Sequence, residues 1–337
     1  MELVFHKFTD RAVAEAWKSM ETPSMSPFLH YDYLGYVYRF IRRFKPYRPR
    51  VACVEDDGEI MMMLAILISI DGSYCKLMGD IQGCGCADAV WKPSLGMERR
   101  TELARFFFAN IRRRIKLHRI REDSPLLAAL PEDRAVLVHT APCVSIRLQG
   151  SASEHIVGLS RSVRQNIRTA YNRMERDGIK YRAVFYDSSK PLSDTLWKQI
   201  MELYFILLFG KYKRRKARLF FQRWRQRYKY FHLKHDTLSL RRLDNAFHAV
   251  LFDGERIMAF LDGLETLDGS ILSVPRLAIN PDYAFYSPGY VLLVELIRHM
   301  DSGCRLREID LSRGDERYKT DMGGRVYFTR DYDLKKI

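Results

Sequence analysis

The feature that most constrains the fold of this chain is an internal repeat of two short turn signals. Asp57-Gly58 recurs as Asp253-Gly254, and Asp71-Gly72-Ser73 recurs as Asp268-Gly269-Ser270. The glycines of the first signal lie 196 residues apart and those of the second 197. Each signal separates two apolar runs, and its glycine supplies the positive φ that a tight hairpin turn requires. We therefore expect three consecutive antiparallel strands in each half of the chain.

The elements after the strands repeat in the same order. Pro93-Ser94-Leu95-Gly96 and Ser287-Pro288-Gly289 each precede a segment with helical apolar spacing, and His118-Arg119-Ile120 and Arg307-Glu308-Ile309 then suit short strands. The first helix carries an apolar stripe at four-residue spacing, formed by Leu103, Phe107, Ile111 and Ile115. The sequence thus predicts an α/β (α+β) fold of two tandem units, each a mixed, mostly antiparallel sheet flanked by helices. We place the units at residues 1–150 and 151–337.

Two further helices are predicted early in the second half. An apolar stripe runs from Leu159 to Met174, with Ser160 as N-cap and Gly178 as C-cap. A second helix extends from Asp194 to Phe209 and is expected to stop at Gly210.

The composition indicates the cellular compartment and the charge of the binding partners. The N-terminal residues lack the basic and apolar regions of a secretory signal, and the longest apolar run, Ile60 to Ile70, is far shorter than the roughly 20 residues that span a bilayer. Six cysteines without paired spacing indicate a reduced, cytoplasmic setting, and the Cys84-Gly85-Cys86 pair is interpreted as packing rather than as a metal site. The net charge of +15 favours anionic partners.

A candidate anion site lies where the strand Pro275–Asn280 leads through a loop into a helix near Gly289. The first turn of a helix has free N–H groups and a partial positive charge, which suit a phosphate or pyrophosphate.

Three segments of the second half resemble the GNAT (N-acetyltransferase) domain of the CelD-type group, which is itself similar to the Fem aminoacyltransferases. They are Leu159–Gly178, Ser287-Pro288-Gly289 and Asp310–Lys319, the last with Gly314, Asp315, Tyr318 and Lys319 at the group's spacing. The resemblance covers about residues 151–324. It implies an active second unit and a degenerate GNAT-like first unit, because nothing like Gly-Asp-Glu-Arg-Tyr-Lys occurs after His118.

The resemblance also implies a co-substrate, acetyl-CoA or another acyl-CoA. The strand around Leu277 and Ile279 would pair with its pantetheine arm. The loop at Ser287 and the amides of Gly289, Tyr290 and Val291 would hold its pyrophosphate. The chain departs from the common loop pattern Arg/Gln-x-x-Gly-x-Gly/Ala, because Tyr286 replaces the basic residue and Val291 the last small one.

Candidate catalytic residues are indicated by the chemistry of acyl transfer, which needs a base for the acceptor and a proton for the departing thiolate. By resemblance Tyr318 would protonate the thiolate, and Glu265 is a candidate base acting directly or through water. A packed tyrosine and a solvated or paired glutamate are the structural alternatives. Arg164 and Arg168 would extend a positive field toward an anionic acceptor. Asp315 and Lys319 would line the acceptor side or, with Asp310, form an ion-pair set that fixes the loop.

The segment Lys211–Lys234 contains eleven Lys or Arg residues and no acidic residue, interleaved with aromatic residues. Such a segment suits nucleic-acid binding. It also suits two amphipathic helices with buried aromatics and basic side chains that face an acidic sugar, an anionic lipid headgroup or the 3′-phosphate of CoA.

The expected function is transfer of an acyl group, acetyl by expectation, from acyl-CoA to an amine or hydroxyl of a small molecule, with a sugar or envelope glycan precursor as the envisaged acceptor. Two alternatives stay open: aminoacyl transfer from a charged tRNA, as in the Fem-type relatives, and a non-catalytic binding protein that retains the fold.

Overall fold

The computed structural model describes residues 1–79, 87–212, 219–235 and 239–336. Elements of the first half are β1 (Glu2–Lys7), α1 (Arg11–Met20), α2 (Tyr31–Phe44), β2 (Tyr47–Asp56), β3 (Glu59–Ser69), β4 (Tyr74–Leu77), β5 (Val90–Trp91), α3 (Met97–Asn110), β6 (Arg114–Arg121), α4 (Pro125–Ala128) and β7 (Ala135–Arg147). Those of the second half are α5 (Ala152–Gly158), α6 (Arg161–Arg176), β8 (Tyr181–Tyr186), α7 (Asp194–Tyr212), α8 (Leu219–Lys234), β9 (Ala246–Asp253), β10 (Arg256–Glu265), β11 (Ile271–Ile279), α9 (Pro288–Asp301), β12 (Glu308–Arg313), α10 (Arg317–Asp321) and β13 (Arg325–Leu334).

The chain forms two compact units. Unit 1 contains Met1–Val144 together with Ser312–Asp315 and Val326–Ile337, and unit 2 contains Ser145–Leu311 and Glu316–Arg325. Strands of unit 1 have the order β1-β2-β3-β4-β6-β13, and those of unit 2 the order β12-β11-β10-β9-β8. The predicted α/β class, with mixed and mostly antiparallel sheets flanked by helices, is confirmed.

The repeated hairpins form in both units. β2 pairs with β3 and β9 with β10, both antiparallel. The first turn has positive φ at Asp57 (50°) and Gly58 (79°), as a type I′ turn requires. The second turn is shifted by one residue, because Asp253 still belongs to β9 and only Gly254 (54°) has positive φ. The repeated Asp-Gly therefore marks the same hairpin in two different registers.

The second turn signal forms the same hydrogen-bond network twice. Asp71 Oδ1 accepts from the Ser69 hydroxyl (2.5 Å) and the Ser73 amide (3.2 Å). Asp268 Oδ1 accepts from the Thr266 hydroxyl (2.7 Å) and the Ser270 amide (2.9 Å). Hydrogen bonds to the charged form lower the pKa of both carboxyl groups. A short aspartate loop thus closes the same strand pair in each unit.

Each unit also contains one parallel strand pair of three residues. Tyr74, Cys75 and Lys76 of β4 pair with residues 114–116 of β6. Ile271, Leu272 and Ser273 of β11 pair with residues 308–310 of β12. Beyond this pair the two strands differ in length, because β4 ends at Leu77 whereas β11 continues to Ile279 without further pairing to β12 among the described residues.

A β-bulge lies where β11 leaves β12. Asp262 pairs with Arg276 and Leu264 with Ser273, so two residues of β11, Val274 and Pro275, lie opposite the single residue Gly263 of β10. A Cβ atom on Gly263 would lie 2.4 Å from the Ser273 carbonyl oxygen, so only glycine fits at this position. Pro275 lies within the bulged segment and has no N–H group to donate to a neighbouring strand.

Helix bounds agree with the sequence at some ends and differ at others. The Ser160 hydroxyl caps α6 by accepting from the Val163 amide, and Gly178 lies just after the helix with a φ of 69°. The stripe predicted for α3 is wrong at Ile115, which lies in β6 because the helix ends at Asn110. α7 continues through Gly210 to Tyr212, because an isolated glycine is tolerated inside a helix that packs on a sheet.

We predict that Gly263→Ala lowers the free energy of unfolding by about 1–3 kcal/mol, because the added methyl group would push the backbone of β11 out of the bulge. Gly35→Ala is the matched control. Nothing lies within 4 Å of its added Cβ in α2, so we expect no loss and a gain of up to about 1 kcal/mol. Urea denaturation measures both variants. Equal stability of Gly263→Ala and the parent protein would contradict the strained contact.

Candidate functional site

The strand-to-helix joint after β11 has an unusual backbone. Residues Pro281–Tyr286 form a 3-10 turn, and Ser287 then adopts left-handed values of φ 49° and ψ 49°. Pro288 starts α9, where its missing N–H group costs no hydrogen bond. The predicted helix start near Gly289 is therefore correct to within one residue.

A cavity of about 520 Å³ lies between the free part of β11 and the start of α9. Its lining is mostly apolar and includes six of the residues that the sequence assigned to the site. The lining residues are Tyr204, Leu277, Ala278, Ile279, Ala284, Ser287, Gly289, Tyr290, Glu316 and Tyr318. The unpaired strand edge, the helix N-terminus and Tyr318 thus meet at one place.

The first amides of α9 are not equivalent. The amides of Tyr290 and Val291 both donate to the Ser287 carbonyl oxygen, at 3.0 and 3.4 Å. Val291 is fully buried in the core, whereas Gly289 lines the cavity. The Gly289 amide has no backbone acceptor among the described residues. Of the three amides expected to hold a pyrophosphate, that of Gly289 is the one without a backbone acceptor among the described residues, and Gly289 lines the cavity.

Gly289 also sets the width of the cavity. A Cβ atom at this position would lie 3.2 Å from Ile279 Cγ2, across the joint between α9 and β11. The glycine therefore keeps open the space in which a ligand could approach the backbone.

Tyr318 enters the cavity from α10. Burial, and to a lesser degree the charge of Glu316, raises the pKa of Tyr318 well above its usual value, so the phenol stays protonated at neutral pH. Its ring packs edge-to-face against Tyr290, with centroids 6.5 Å apart. The Tyr290 hydroxyl donates to Asp321 (2.7 Å), and burial raises the pKa of Tyr290 to about 12. The cavity therefore contains two neutral phenols.

Lys319 fixes the helix that carries Tyr318. Its side chain is 4% exposed, and its Nζ lies 3.0 Å from Glu316 Oε2 and donates to the Leu311 carbonyl oxygen (3.1 Å). The lysine thus ties α10 to the end of β12. The ion pair expected for Lys319 involved Asp310 and Asp315, whereas this salt bridge is formed with Glu316.

Glu265 lies outside the cavity. Glu265 is the last residue of β10. It lies four residues along that strand from Leu261, whose partner on β11 is the cavity residue Leu277. At the usual rise, four residues correspond to about 13 Å. Burial, assisted by the charge of Asp187, raises the pKa of Glu265 to about 7. The structure gives this residue a perturbed carboxyl group but does not bring it to Tyr318.

The other predicted polar residues also lie elsewhere. Arg164 and Arg168 are exposed on α6, and the Arg164 guanidinium donates to the Val157 carbonyl oxygen. Asp315 is exposed and falls in unit 1. None of the three lines the cavity.

Sequence reasoning missed a polar row beneath α7. His248, Asp262 and Arg276 lie opposite one another on β9, β10 and β11. Arg276 and Asp262 form a buried ion pair at 2.8 Å, and burial lowers the pKa of His248 to about 4. The sequence signal that could have revealed this row is the presence of charged residues within otherwise apolar strands.

The site also includes Tyr204, which the sequence could not assign. Its ring lies 6.2 Å from that of Phe260 and reaches the cavity from α7. Which residues of a long helix face a sheet depends on how the helix docks, and the spacing of α7 alone did not indicate it.

The basic segment Lys211–Lys234 is described in part, since residues 213–218 lie outside the described ranges. The interpretation of its aromatics as core is correct for Tyr230, whose ring contacts Phe205 at 3.7 Å. It is wrong for Trp224, which is 62% exposed. Tyr230 lies on the face of α8 that packs on α7, whereas Trp224 lies on a face that is exposed where the structure describes it.

Two further findings concern metals and membranes. Cys84 and Cys86 lie outside the described residues, and no cluster of metal-binding side chains occurs in the ranges that are described. Within those ranges, none of the helices combines the length and apolarity that a membrane span requires.

The model of the family described as "Acetyltransferase (GNAT) domain" matches residues 161–320, the part of the chain that contains β11, α9 and Tyr318. Residues 161–320 are thus similar to a GNAT acetyltransferase domain. The match confirms the resemblance to the GNAT superfamily and supports a transferase. No curated protein sequence matches this chain.

Solved structures similar to this chain extend the likeness to both units. FemX matches with a TM-score of 0.59 and 10% identity, over 99% of this chain and 97% of that one. L-PGS from Bacillus licheniformis matches with a TM-score of 0.55 and 13% identity, over 98% and 93%. A tandem GNAT protein from the clavulanic acid biosynthesis pathway matches with a TM-score of 0.50 and 11% identity, over 99% and 98%. At these identities the likeness concerns the fold, and the last structure supports the two-unit architecture.

Proposed function

We propose that unit 2 transfers an acyl group from acyl-CoA to an amine or hydroxyl group of a small acceptor. The observation that carries this proposal is the cavity between the unpaired edge of β11 and the N-terminus of α9, with a protonated Tyr318 in its wall. Acetyl-CoA is the expected donor. A cytoplasmic setting is proposed with it, since none of the four described cysteines forms a disulfide bond.

The residues present fit part of an acyl-CoA molecule. The backbone of Leu277–Ile279 offers unpaired strand groups to the two amides of a pantetheine arm, as an added strand would. The Gly289 amide and the positive end of α9 suit one phosphate oxygen. Pro288 has no N–H group, and the amides of Tyr290 and Val291 donate to the Ser287 carbonyl oxygen. We therefore expect weaker phosphate binding than a loop with three free amides would give.

The donor supplies a thioester, and the residues of this chain would act on its leaving group. When the acceptor attacks the carbonyl carbon, the carbon–sulfur bond breaks and the sulfur leaves as a thiolate. The Tyr318 hydroxyl donates its proton to that sulfur and is reprotonated from solvent. The acceptor loses its own proton to water or to a base. Glu265 lies too far along β10 to take that proton directly, so any part it plays would require a chain of water molecules.

The acceptor is proposed as a sugar or envelope glycan precursor, and this part rests on the family resemblance rather than on the site. An anionic acceptor agrees with the net charge of +15.

We predict that acetyl-CoA at about 100 times its dissociation constant stabilises the protein by about 2.7 kcal/mol. Gly289→Val should abolish this effect, since its side chain would fill the space next to Ile279. Thermal denaturation with CoA thioesters of increasing chain length measures the effect and shows which acyl group fits. Gly158→Val, at the end of α5 in the same unit, with no positive φ and no atom within 4 Å of its added Cβ, is the matched control.

Failure of every acyl-CoA to stabilise the parent protein would overturn the proposal. Binding of charged tRNA with a steep salt dependence would instead favour the Fem-type alternative. Stabilisation by acyl-CoA without turnover of any amine or hydroxyl acceptor would favour a non-catalytic binding protein.

Tyr318→Phe should lower kcat for acyl transfer by about 10²-fold or more, because the thiolate would lose its proton donor. Its acyl-CoA affinity should change little. Tyr171→Phe is the matched control, since Tyr171 is a largely buried tyrosine of unit 2 whose hydroxyl donates to Glu295 and does not line the cavity. Release of free CoA thiol measures turnover. A Tyr318→Phe variant as active as the control would remove Tyr318 from the mechanism.

A further inference from the structure

The exposed face of α8 combines large apolar side chains with positive charge. Trp224 is 62% exposed and Phe231 is 55% exposed, and Arg227 lies exposed between them. These residues occur at i, i+3 and i+7, so they share one side of the helix over two turns, about 10 Å. The protein thus presents two aromatic side chains and a guanidinium along a single line.

The opposite face of α8 is packed against α7. The Trp197 indole donates to the Leu233 carbonyl oxygen (2.9 Å), and the Phe205 ring lies 3.7 Å from that of Tyr230. Lys234 pairs with Glu202 of α7 at 3.0 Å. These contacts hold α8 in place and leave its outer face without a protein partner among the described residues.

Trp224 and Phe231 therefore form an exposed apolar line on the outer face of α8. Large exposed aromatic side chains grouped on one face are more apolar than the ordinary surface of a soluble domain, and such clusters mark interaction surfaces.

The positive charge of α8 indicates a partner with an anionic surface. Its sequence contains five Lys or Arg residues and no Asp or Glu. A helix with basic side chains and exposed Trp and Phe binds at the surface of an anionic bilayer, with its aromatic rings at the level of the headgroups.

We propose that the exposed face of α8 docks on an anionic lipid surface. An RNA surface explains the structure less well, because the two rings that would stack on bases already have ring partners. Trp224 is stacked on Tyr228 (5.8 Å, 25°), and the Phe231 ring lies 4.5 Å from that of His235. The inference goes beyond the proposed acyl transfer and does not depend on it.

The tryptophans of this chain provide a direct readout. Trp17 and Trp197 are 0% exposed and Trp91 is 9% exposed, so Trp224 is the tryptophan that solvent reaches. Insertion of its ring among lipid headgroups should shift the emission to shorter wavelength. The test uses the full chain with vesicles of phosphatidylcholine alone and with about one third phosphatidylglycerol, at physiological ionic strength.

We expect co-sedimentation with the phosphatidylglycerol vesicles, weak or no binding to phosphatidylcholine alone, and a blue shift of the emission. A Trp224→Ser, Phe231→Ser double variant should bind at least about tenfold more weakly, and Arg227→Glu about tenfold more weakly. Leu267→Ser, at an exposed turn residue, and Arg105→Glu, on the surface of α3, are the matched controls and should bind like the parent protein. Melting by circular dichroism confirms that each variant is folded.

Three results would overturn the proposal. They are no binding to phosphatidylglycerol vesicles, binding that Arg105→Glu weakens as much as Arg227→Glu, and binding without a shift of the Trp224 emission. Tight binding of a single-stranded RNA that quenches Trp224, with no vesicle binding, would assign the surface to nucleic acid instead.

Discussion

The separation of β11 from β12 is the constraint on which the candidate site depends. The two strands pair in parallel over three residues and no further among the described residues, which leaves the backbone of residues 274–279 without a partner on that side. Gly263 and Pro275 explain the separation. The glycine allows the bulge because any side chain would meet the Ser273 carbonyl oxygen, and the proline removes a donor from the edge. An unpaired strand edge inside a folded unit has to be satisfied, and a ligand with its own amides would do so.

The two units share most of their local structure. Both units have the same hairpins, the same aspartate loops and the same three-residue parallel pair. They differ in the length of strand that extends beyond this pair, since β4 ends at Leu77 whereas β11 continues to Ile279. This difference supports the proposal that unit 2 is the active one and that unit 1 is degenerate.

The sequence predicted those parts of the fold and site that depend on neighbouring residues. Hairpin turns, the cap at Ser160 and the helix start near Gly289 lie on continuous stretches, where glycine, proline and periodicity act locally. The cavity residues Leu277, Ile279 and Tyr290 were assigned through the family resemblance. Features that depend on how a helix packs against its neighbours could not be predicted from the sequence. Tyr204 reaches the cavity only because α7 packs on the sheet, and Trp224 is exposed because α8 packs on one side. Glu265 was a plausible base by residue type, but the register of β10 places it about four residues too far along the strand.

Amide hydrogen exchange with and without acetyl-CoA tests the central claim most directly, because it reports on the backbone groups that the account leaves for the ligand. Bound acetyl-CoA should slow exchange at Leu277, Ile279 and Gly289, while Lys76 and Leu77 of β4 should exchange at an unchanged rate. Slower exchange in β4, or no change at either strand under conditions in which acetyl-CoA is bound, would contradict the assignment of the ligand to the open edge of β11.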